Sequence, residues 1–526
     1  MVGPDAVVAE MTGAGASRPA AATPPRDVHV ARLARGGAAG LVGAGLSALL
    51  TLAFTVLVTR TLPQQQAGLF FALTSAFLIA YSVASLGVPT GVVYFVARYR
   101  ATGQAHRVPA LLRHGLTWAV VAAGVTGLVG IALAPRLATL LGDGSDASTT
   151  LVRILSAALL VAVLNDVAVG ITRGYDTMRP FVLVERIGRP LAQLVIALVV
   201  VALGGAGAVA VGTAWVLPFL LTSAVLLGWV RRLNRPSRAA AERAEGAPGH
   251  VDRGAFWRFT GPRGLAALSQ MVLQRSDIVL LGVLAGPVPA AVYTASTRFL
   301  VFGQLGAGAI STTMQPRIAA LLAAGDVPSA QRVYRVATTW LVLMAWPLYL
   351  LAAVLAPEML LLFGQDYQGG VGVVVLLSLT MLVATGCGAV DVVLTMAGRS
   401  AWTMGNALAA VAVNVALNLL LIPRLGVFGA AMAWSAAILL RNLLPLAQLA
   451  LSLRLHPFGR MTAAAAGLSL VLVGGLPAAA RAISGGSSVV TAAVAVIGVL
   501  GYAAVVVRKR RAFDLHQFSA IRRRRA

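Results

Sequence analysis

Long apolar stretches separated by short polar segments cover almost the whole chain. Each stretch approaches the roughly 20 residues that an α-helix needs to cross the hydrocarbon core of a bilayer. The pattern therefore predicts fourteen spanning helices, an even number that places both chain ends on the same side of the membrane. These apolar segments lie at 38–59, 68–92, 115–135, 151–172, 181–204, 208–230, 256–284, 288–314, 336–356, 369–395, 403–422, 426–449, 461–483 and 487–507.

The distribution of basic residues gives this topology its direction. Of the 42 Lys and Arg residues, 31 fall in the two tails, in alternate loops or at a segment end beside one of these loops, five fall in the other loops or at a segment end beside them, and six lie deeper within the apolar segments. Cytoplasmic loops carry such an excess of basic residues. All of them except Lys509 are arginines, which is typical of bacteria with GC-rich coding. We therefore predict a multi-pass protein of the bacterial plasma membrane with both termini in the cytoplasm.

The composition excludes a soluble enzyme. Hydrophobic residues make up 58% of the chain and charged residues 11%, whereas soluble globular proteins contain about 25% charged residues. The net charge of +25 follows from the membrane topology, so we expect no nucleic-acid partner. The loops are too short for a catalytic domain, and we predict that the protein is not an enzyme.

Metal and nucleotide sites are not expected either. All six histidines fall in predicted cytoplasmic segments, and Cys387 is the only cysteine. The chain contains no phosphate-binding Gly-Lys-Ser/Thr loop. We therefore predict no metal site, no cofactor and no ATP hydrolysis by this chain.

A weak internal repeat indicates how the helices are grouped. Residues Leu49–Ala76 and Met271–Phe299 both run from an apolar helix through a short turn into a second helix. Parallel repeats form two lobes around a central cavity in other transporters. The predicted fold is therefore an all-α polytopic membrane protein of about 14 transmembrane helices, with two pseudo-repeated six-helix lobes around a central cavity, plus two C-terminal helices.

The predicted domain boundaries follow from these segments and from a basic stretch between the lobes. They are a disordered cytoplasmic N-terminal tail at 1–37, an N-lobe at 38–230, a basic cytoplasmic linker at 231–255, a C-lobe at 256–450, the last two helices at 451–507 and a basic cytoplasmic tail at 508–526. The basic C-terminal tail is expected to contact the anionic inner leaflet, since each Lys or Arg near the surface contributes about 1 kcal/mol.

Polar side chains in the seventh helix form the first candidate site. Arg263, Gln270, Gln274 and Asp277 fall at i, i+7, i+11 and i+14 on one narrow stripe. Lipid would not tolerate such a stripe, so we predict that it lines the cavity and binds substrate. The alternative is a buried polar seam between packed helices. Arg275 lies about 120° away from this stripe and is expected to face a neighbouring helix.

Arginines in two other helices are further candidates for substrate binding. Arg186 and Arg189 share one face of the fifth helix near its cytoplasmic end, and Arg441 lies deep in the twelfth helix. Guanidinium groups suit bidentate contacts with phosphate. The alternative for Arg186 and Arg189 is that they snorkel to the membrane interface.

The carboxylates within the helices have predicted roles as well. Asp277 and Arg298 sit at similar depths on consecutive antiparallel helices, which predicts an ion pair that fixes the helix hairpin or acts as a gate. Asp166 and Asp391 are candidates for ion coupling, because burial would raise the affinity of a carboxylate for a proton. For Asp391, capping or pairing with Arg399 is the simpler expectation.

Several phrases of the sequence resemble a known family. The seventh and eighth helices contain Gln-Arg-Ser-Asp-Ile-Val-Leu-Leu-Gly at 274–282 and Ala-Val-Tyr-Thr-Ala-Ser-Thr-Arg at 291–298. Leu-Phe-Gly-Gln-Asp-Tyr at 362–367 opens the tenth, and Asn414 to Asn418 lead into Ile-Pro-Arg-Leu-Gly-Val-Phe-Gly-Ala-Ala at 422–431. Together these phrases resemble the Wzx-like polysaccharide transporters, the oligosaccharide flippases of the multidrug/oligosaccharidyl-lipid/polysaccharide (MOP) flippase superfamily.

The resemblance implies a function and a set of partners. The expected activity is that of a flippase that moves polyprenyl-pyrophosphate-linked oligosaccharide, a precursor of cell-surface polysaccharide, from the inner to the outer leaflet by alternating access. The resemblance also implies a cationic cavity. The partners would be this lipid-linked substrate, the lipid bilayer, and glycosyltransferases or a polymerase of the same pathway.

Three alternatives stay open. Lipid II flippases carry characteristic arginines in the first two helices, whereas residues 38–59 contain no charge. Multidrug or cation antiporters of the superfamily usually have twelve helices and an acidic coupling residue in the first, and neither feature is expected here. A non-transporting membrane scaffold for polysaccharide assembly would predict that the polar stripe is packed and dry.

Overall fold

The computed structural model describes residues 26–205, 207–243, 252–511 and 513, which form helices and turns without a β-strand. The α-helices are α1 Arg26–Thr61, α2 Gln64–Ser85, α3 Val88–Ala101, α4 Val108–Ala132, α5 Ala134–Leu141, α6 Asp146–Gly174, α7 Arg189–Ala202, α8 Ala208–Arg243, α9 Arg253–Leu284, α10 Pro287–Thr297, α11 Leu300–Ala323, α12 Val327–Val354, α13 Ala356–Leu361, α14 Val371–Gly386, α15 Val390–Met396, α16 Ser400–Leu453, α17 Arg460–Ser469, α18 Leu476–Ile483 and α19 Ser488–Arg508. Two π-helical segments, Phe181–Gly188 and Leu470–Gly475, precede α7 and join α17 to α18. Two 3₁₀ turns lie at Ala105–Arg107 and Gln365–Gly370.

The prediction of an all-α, multi-pass membrane protein is confirmed. Within the described ranges, eleven helical segments are long and apolar enough to cross a membrane by length and composition. One of them, Ser400–Leu453, contains two of the predicted spans, which Gly426 separates with a φ of 54°. The fifth and eighth predicted spans do not appear as single long helices, because a π-helical segment precedes α7 and a turn separates α10 from α11. The observed segments are thus consistent with about fourteen crossings.

Both passages of the internal repeat form a helix, a tight turn and a second helix. The turns follow α1 and α9, and the helices that come next, α2 and α10, end early. Leu86 and Gly87 end α2 with φ values of 50° and 71°. This left-handed conformation stops a helix and favours glycine. The chain then resumes as α3 in the first passage and as α11 in the second.

Two of the predicted domain boundaries differ from the structure. The predicted disordered tail 1–37 is helical from Arg26 onward, because α1 begins there. The predicted linker 231–255 is helical at both ends, because α8 continues to Arg243 and α9 begins at Arg253. Two stretches, 1–25 and 244–251, lie outside the described residues. Of the predicted tail 508–526, the structure describes 508–511 and 513.

The first half of α9 packs against the N-lobe rather than the C-lobe. Phe256 is fully buried in a cluster with Val92 and Phe95 of α3. A Cβ on Gly87 would lie 2.7 Å from the Cα of Gly264, so the two backbones touch. The second half of α9 packs on α16, where Leu273 joins a separate cluster, and also on α2, where Gly282 faces Ala72. The predicted boundary at residue 256 therefore does not separate two packing units.

Contacts between the two repeats close the end of the bundle that carries few arginines, which we call the outer end from the sequence-based topology. A Cβ on Gly68 of α2 would lie 1.8 Å from the carbonyl oxygen of Pro287 at the start of α10. Nearby, Arg60 Nε donates to the carbonyl of Leu362 over 2.9 Å, and Gln64 donates to the carbonyl of Asp366 over 3.1 Å. Only a glycine allows so close an approach of two helices.

Candidate functional site

Two arginines without acidic partners lie where α9 and α10 meet α2. Arg275 and Arg298 are both partly buried, and the guanidinium group of Arg298 lies 5.9 Å from the ring centroid of Phe71 in α2. The charge of Arg275 acts on Arg298, so the two guanidinium groups are close enough to repel each other. We call Arg275 and Arg298 the arginine pair.

The arginine pair carries positive charge that the protein itself does not neutralise. Nε of Arg275 and Nε of Arg298 are buried without a hydrogen-bond partner. The three ion pairs found in the described part of the chain include neither side chain. Burying a charge without a partner is costly. The pair is therefore arranged to attract an anionic group, for which two planar guanidinium groups are well suited.

Asp277 does not form the expected ion pair with Arg298. Its Oδ2 accepts a hydrogen bond of 2.8 Å from the Tyr293 hydroxyl, and its Oδ1 accepts bonds of 2.9 and 2.6 Å from the amides of Asn414 and Asn418. The side chain is 1% exposed. We call these four residues the Asp277 cluster. Neutral hydrogen-bond donors satisfy the carboxylate of Asp277. This explains why Asp277 does not pair with Arg298.

Arg441 is held by two partners from other helices. Its Nη1 donates to Oε1 of Gln270 over 2.5 Å, and its Nε lies 3.4 Å from Oδ2 of Asp391. Asp391 therefore pairs with Arg441 and not with Arg399, whose guanidinium group stacks over Trp402. This contact joins α9, α15 and the second half of α16. Roles of Gln270 and Arg441 in substrate binding, and of Asp391 in ion coupling, stay predictions.

The contact between Asp391 and Arg441 is expected to stabilise the fold only modestly. Their side chains are 35% and 25% exposed and the two charged atoms lie 3.4 Å apart, which is longer than a strong charge-assisted hydrogen bond. A double-mutant cycle with Asp391→Asn and Arg441→Met should give a coupling free energy of about 0.5–1 kcal/mol, measured from unfolding of the purified protein in detergent. A coupling near zero would contradict the contact.

The N-lobe contains a comparable polar network. Arg189 Nη2 lies 2.5 Å from Oε1 of Glu185, and Glu185 Oε2 accepts a hydrogen bond of 3.0 Å from Asn165. Asp166 faces the Tyr81 hydroxyl and interacts electrostatically with Glu185 and Arg189. Arg189 is thus engaged by a carboxylate, whereas its predicted contact with substrate, and ion coupling at Asp166, stay predictions.

The other predicted substrate-binding residues have no acidic partner among the described residues. Arg263 and Gln274 are exposed on α9, and the guanidinium group of Arg263 lies 4.6 Å from the ring centroid of Phe259. Arg186 is exposed and stacks over Phe181 at 5.1 Å. The predicted stripe on α9 is therefore divided among different environments. Gln270 and Asp277 are engaged in contacts between helices, and Arg263 and Gln274 stay available for a ligand.

The arginine pair was not predicted from the sequence. The similar depth of Arg298 and Asp277 predicted an ion pair between them, and helical periodicity placed Arg275 against a neighbouring helix. A signal was present in the eleventh helix, where Asn414 and Asn418 stand one turn apart and can both donate to one carboxylate. Because these amides satisfy Asp277, Arg298 has no ion-pair partner among the described residues.

Comparisons with solved structures agree with this architecture. An inward-facing multidrug resistance MATE family transporter of the MOP superfamily superposes with a TM-score of 0.66 at 17% identity, covering 78% of this chain and 94% of that chain. The lipid II flippase MurJ in its inward closed conformation gives a TM-score of 0.69 at 11% identity, covering 90% and 98%. A MOP superfamily transporter from Pyrococcus furiosus gives 0.54 at 17% identity, covering 80% and 96%. At these identities the likeness concerns the fold.

Comparisons of the sequence identify the family. The fold defines the class, a multi-pass membrane protein similar in architecture to transporters of the MOP superfamily. Residues 33–322 match the family described as polysaccharide biosynthesis protein, and residues 262–424 match the MatE family. No curated protein matches the sequence significantly. The first match covers more than half of the chain, and the protein therefore belongs to the polysaccharide biosynthesis protein family.

Proposed function

We propose that the protein is a flippase of the bacterial plasma membrane that moves polyprenyl-pyrophosphate-linked oligosaccharide from the inner to the outer leaflet by alternating access. The arginine pair is the observation that carries this proposal. A pyrophosphate carries several negatively charged oxygens, and each planar guanidinium group can contact two of them at once. Glycosyltransferases or a polymerase of the same polysaccharide pathway would act before and after the flipping step.

The surrounding residues support a path for such a substrate. Arg263 and Arg186 are exposed cations that would attract the headgroup, and Gln274 lies one position before Arg275 on α9. Residues with amide side chains suit the hydroxyl groups of a saccharide. The contacts between α2 and α10 close the outer end in this state, so delivery to the outer leaflet requires a second state in which these helices separate.

Leaflet translocation in proteoliposomes tests this function. A polyprenyl-pyrophosphate oligosaccharide is supplied in one leaflet of the proteoliposome membrane, and the amount that reaches the other leaflet is measured. The wild-type protein is compared with the double variant Arg275→Gln/Arg298→Gln. We expect the double variant to lower the rate by about tenfold or more, since each charged contact with phosphate contributes about 1.5–3 kcal/mol. Arg424→Gln is the matched control, because this exposed arginine only donates to Leu420 of its own helix over 3.3 Å.

Other outcomes would assign a different function. Export of a small cationic compound without transport of lipid-linked sugars would place the protein among the multidrug antiporters, which the match to the MatE family makes a specific alternative. The arginine pair argues against it, because unneutralised arginines repel a cation. Transport of lipid II alone would indicate a lipid II flippase. No transport by correctly folded wild-type protein would favour a scaffold for polysaccharide assembly.

A further inference from the structure

Two adjoining cavities open at the end of the bundle that is rich in arginine. The larger has a volume of about 480 Å³ and lies between the start of α12 and the start of α17. The smaller, of about 240 Å³, lies between α17 and the end of α19. Arg460 and Met461 line both cavities, so the two spaces are neighbours. The last two predicted spans therefore form a composite pocket with the C-lobe, which we call the α12–α17–α19 pocket.

The pocket is basic on one side and apolar on the other. Arg332, Arg335 and Arg460 line the larger cavity, and no carboxylate of the described residues lines either space. Asp326, which caps α12, interacts electrostatically with Arg332 but lies outside the lining. Hydrogen bonds from the Ser329 hydroxyl and backbone lower the pKa of Asp326, so one of the arginines retains a nearby negative charge.

The smaller cavity is mostly apolar. Leu468, Val505 and Phe513 contribute to its wall, together with the exposed Ala464. Lys509 lies at its rim, one residue after the end of α19. A ligand that fits both spaces therefore has an anionic group next to a hydrocarbon chain.

Arg335 is held in place in the wall of the larger cavity. Its Nη2 lies 2.7 Å from Nε2 of His456, which accepts the hydrogen bond. Gln331 fixes His456 in turn, because the His456 backbone N–H donates to Oε1 of Gln331 over 3.0 Å and Gln331 donates back to the His456 carbonyl. Nε of Arg335 is buried without a hydrogen-bond partner in the described part of the chain. The guanidinium group is thus oriented in advance and retains an unused donor.

We propose that the α12–α17–α19 pocket binds an anionic glycerophospholipid of the inner leaflet. The lipid phosphate contacts Arg335 and Arg460, and the first part of one acyl chain occupies the smaller cavity. The position supports a lipid from the bilayer, because the lining residues belong to the ends of α12, α17 and α19. Since α2, α9 and α10 hold the arginine pair, this second site does not depend on the proposed transport of oligosaccharide.

Native mass spectrometry of the delipidated full-length protein in detergent tests the site. The protein is titrated with phosphatidylglycerol and with phosphatidylcholine of identical acyl chains. We expect the first phosphatidylglycerol to bind about tenfold more tightly than phosphatidylcholine. The variant Arg335→Gln/Arg460→Gln should lose this preference. The control Arg98→Gln/Arg113→Gln, which removes two exposed arginines from the same end of the bundle, should keep it.

Further arms of the experiment distinguish the source of the phosphate. Ala464→Trp, which fills the smaller cavity without a change of charge, should weaken phosphatidylglycerol binding. Glycerol phosphate should leave the bound lipid in place. Equal binding of both lipids, or unchanged binding by the Arg335/Arg460 variant, would overturn the proposal. So would displacement by glycerol phosphate, or by polyprenyl phosphate at an equal concentration, since these outcomes would assign the pocket to a free phosphate or to the carrier lipid.

Discussion

Gly68→Ala is expected to open the outer end of the bundle and to abolish most of the transport. The added Cβ would lie 1.8 Å from the Pro287 carbonyl oxygen and 2.4 Å from the carbonyl carbon. Both atoms belong to the backbone, so no side-chain rotation relieves the clash, and α2 and α10 have to move apart. Overpacking typically costs about 1–3 kcal/mol. If that cost falls on the outer-closed state alone, its population relative to the outer-open state drops about 5- to 150-fold.

A buried cysteine reports this opening. Ala291 is fully buried on α10 in the cluster that contains Phe71 of α2, so Ala291→Cys should resist a membrane-impermeant maleimide until the helices separate. Replacing Cys387 by serine makes this the only thiol. We expect rapid labelling in the Gly68→Ala background and slow labelling without it.

The matched control is Gly124→Ala in α4. Nothing lies within 4 Å of a Cβ at Gly124, so alanine there should keep transport and stabilise the helix by up to about 1 kcal/mol. If Gly68→Ala transports at the wild-type rate and Ala291→Cys stays protected, the close approach of α2 and α10 is not required for the cycle.

The architecture could be predicted from the sequence because membrane crossing depends on properties that any window of sequence displays. Segment length and mean hydropathy give the spans, and the arginine distribution gives their direction. Even Gly426, which divides the 54-residue helix Ser400–Leu453, falls at the start of the predicted twelfth span. The early ends of α2 and α10 were not predicted, because an apolar segment looks the same whether its helix is continuous or broken.

The choice of partner within the membrane could not be predicted. Helical periodicity gives the depth and the face of a residue on its own helix, but not which neighbouring helix that face meets. Asp277 and Arg298 have similar depths, yet the carboxylate faces Asn414 and Asn418 of α16. The sequence pattern also did not predict that α9 packs on the N-lobe in both of its halves and on α16 in its second half. Which side chains pair depends on how each helix is rotated about its axis and where it bends.

Asp277→Ala is expected to be the most destabilising single substitution in the membrane-spanning region. It removes the acceptor of three hydrogen bonds in a site that is 1% exposed and leaves the Tyr293 hydroxyl and the Asn414 amide without this acceptor, whereas the Asn418 amide keeps its bond to the Asn414 carbonyl. Each buried donor left unsatisfied costs about 1–3 kcal/mol, and two donors lose their acceptor here. Thermal unfolding and size-exclusion chromatography in detergent should show a large loss of folded protein.

Asp277→Asn distinguishes a structural role from a gate. An asparagine of the same shape can accept from Asn414 and Asn418 through its carbonyl oxygen and donate to the Tyr293 hydroxyl through its amide. We therefore expect a loss of only about 1 kcal/mol and transport close to the wild-type rate. A variant that folds as well as the wild type but transports nothing would show instead that the negative charge itself is needed. Asp277 would then act in the transport cycle, and the hydrogen bonds of the Asp277 cluster would describe one state of a gate.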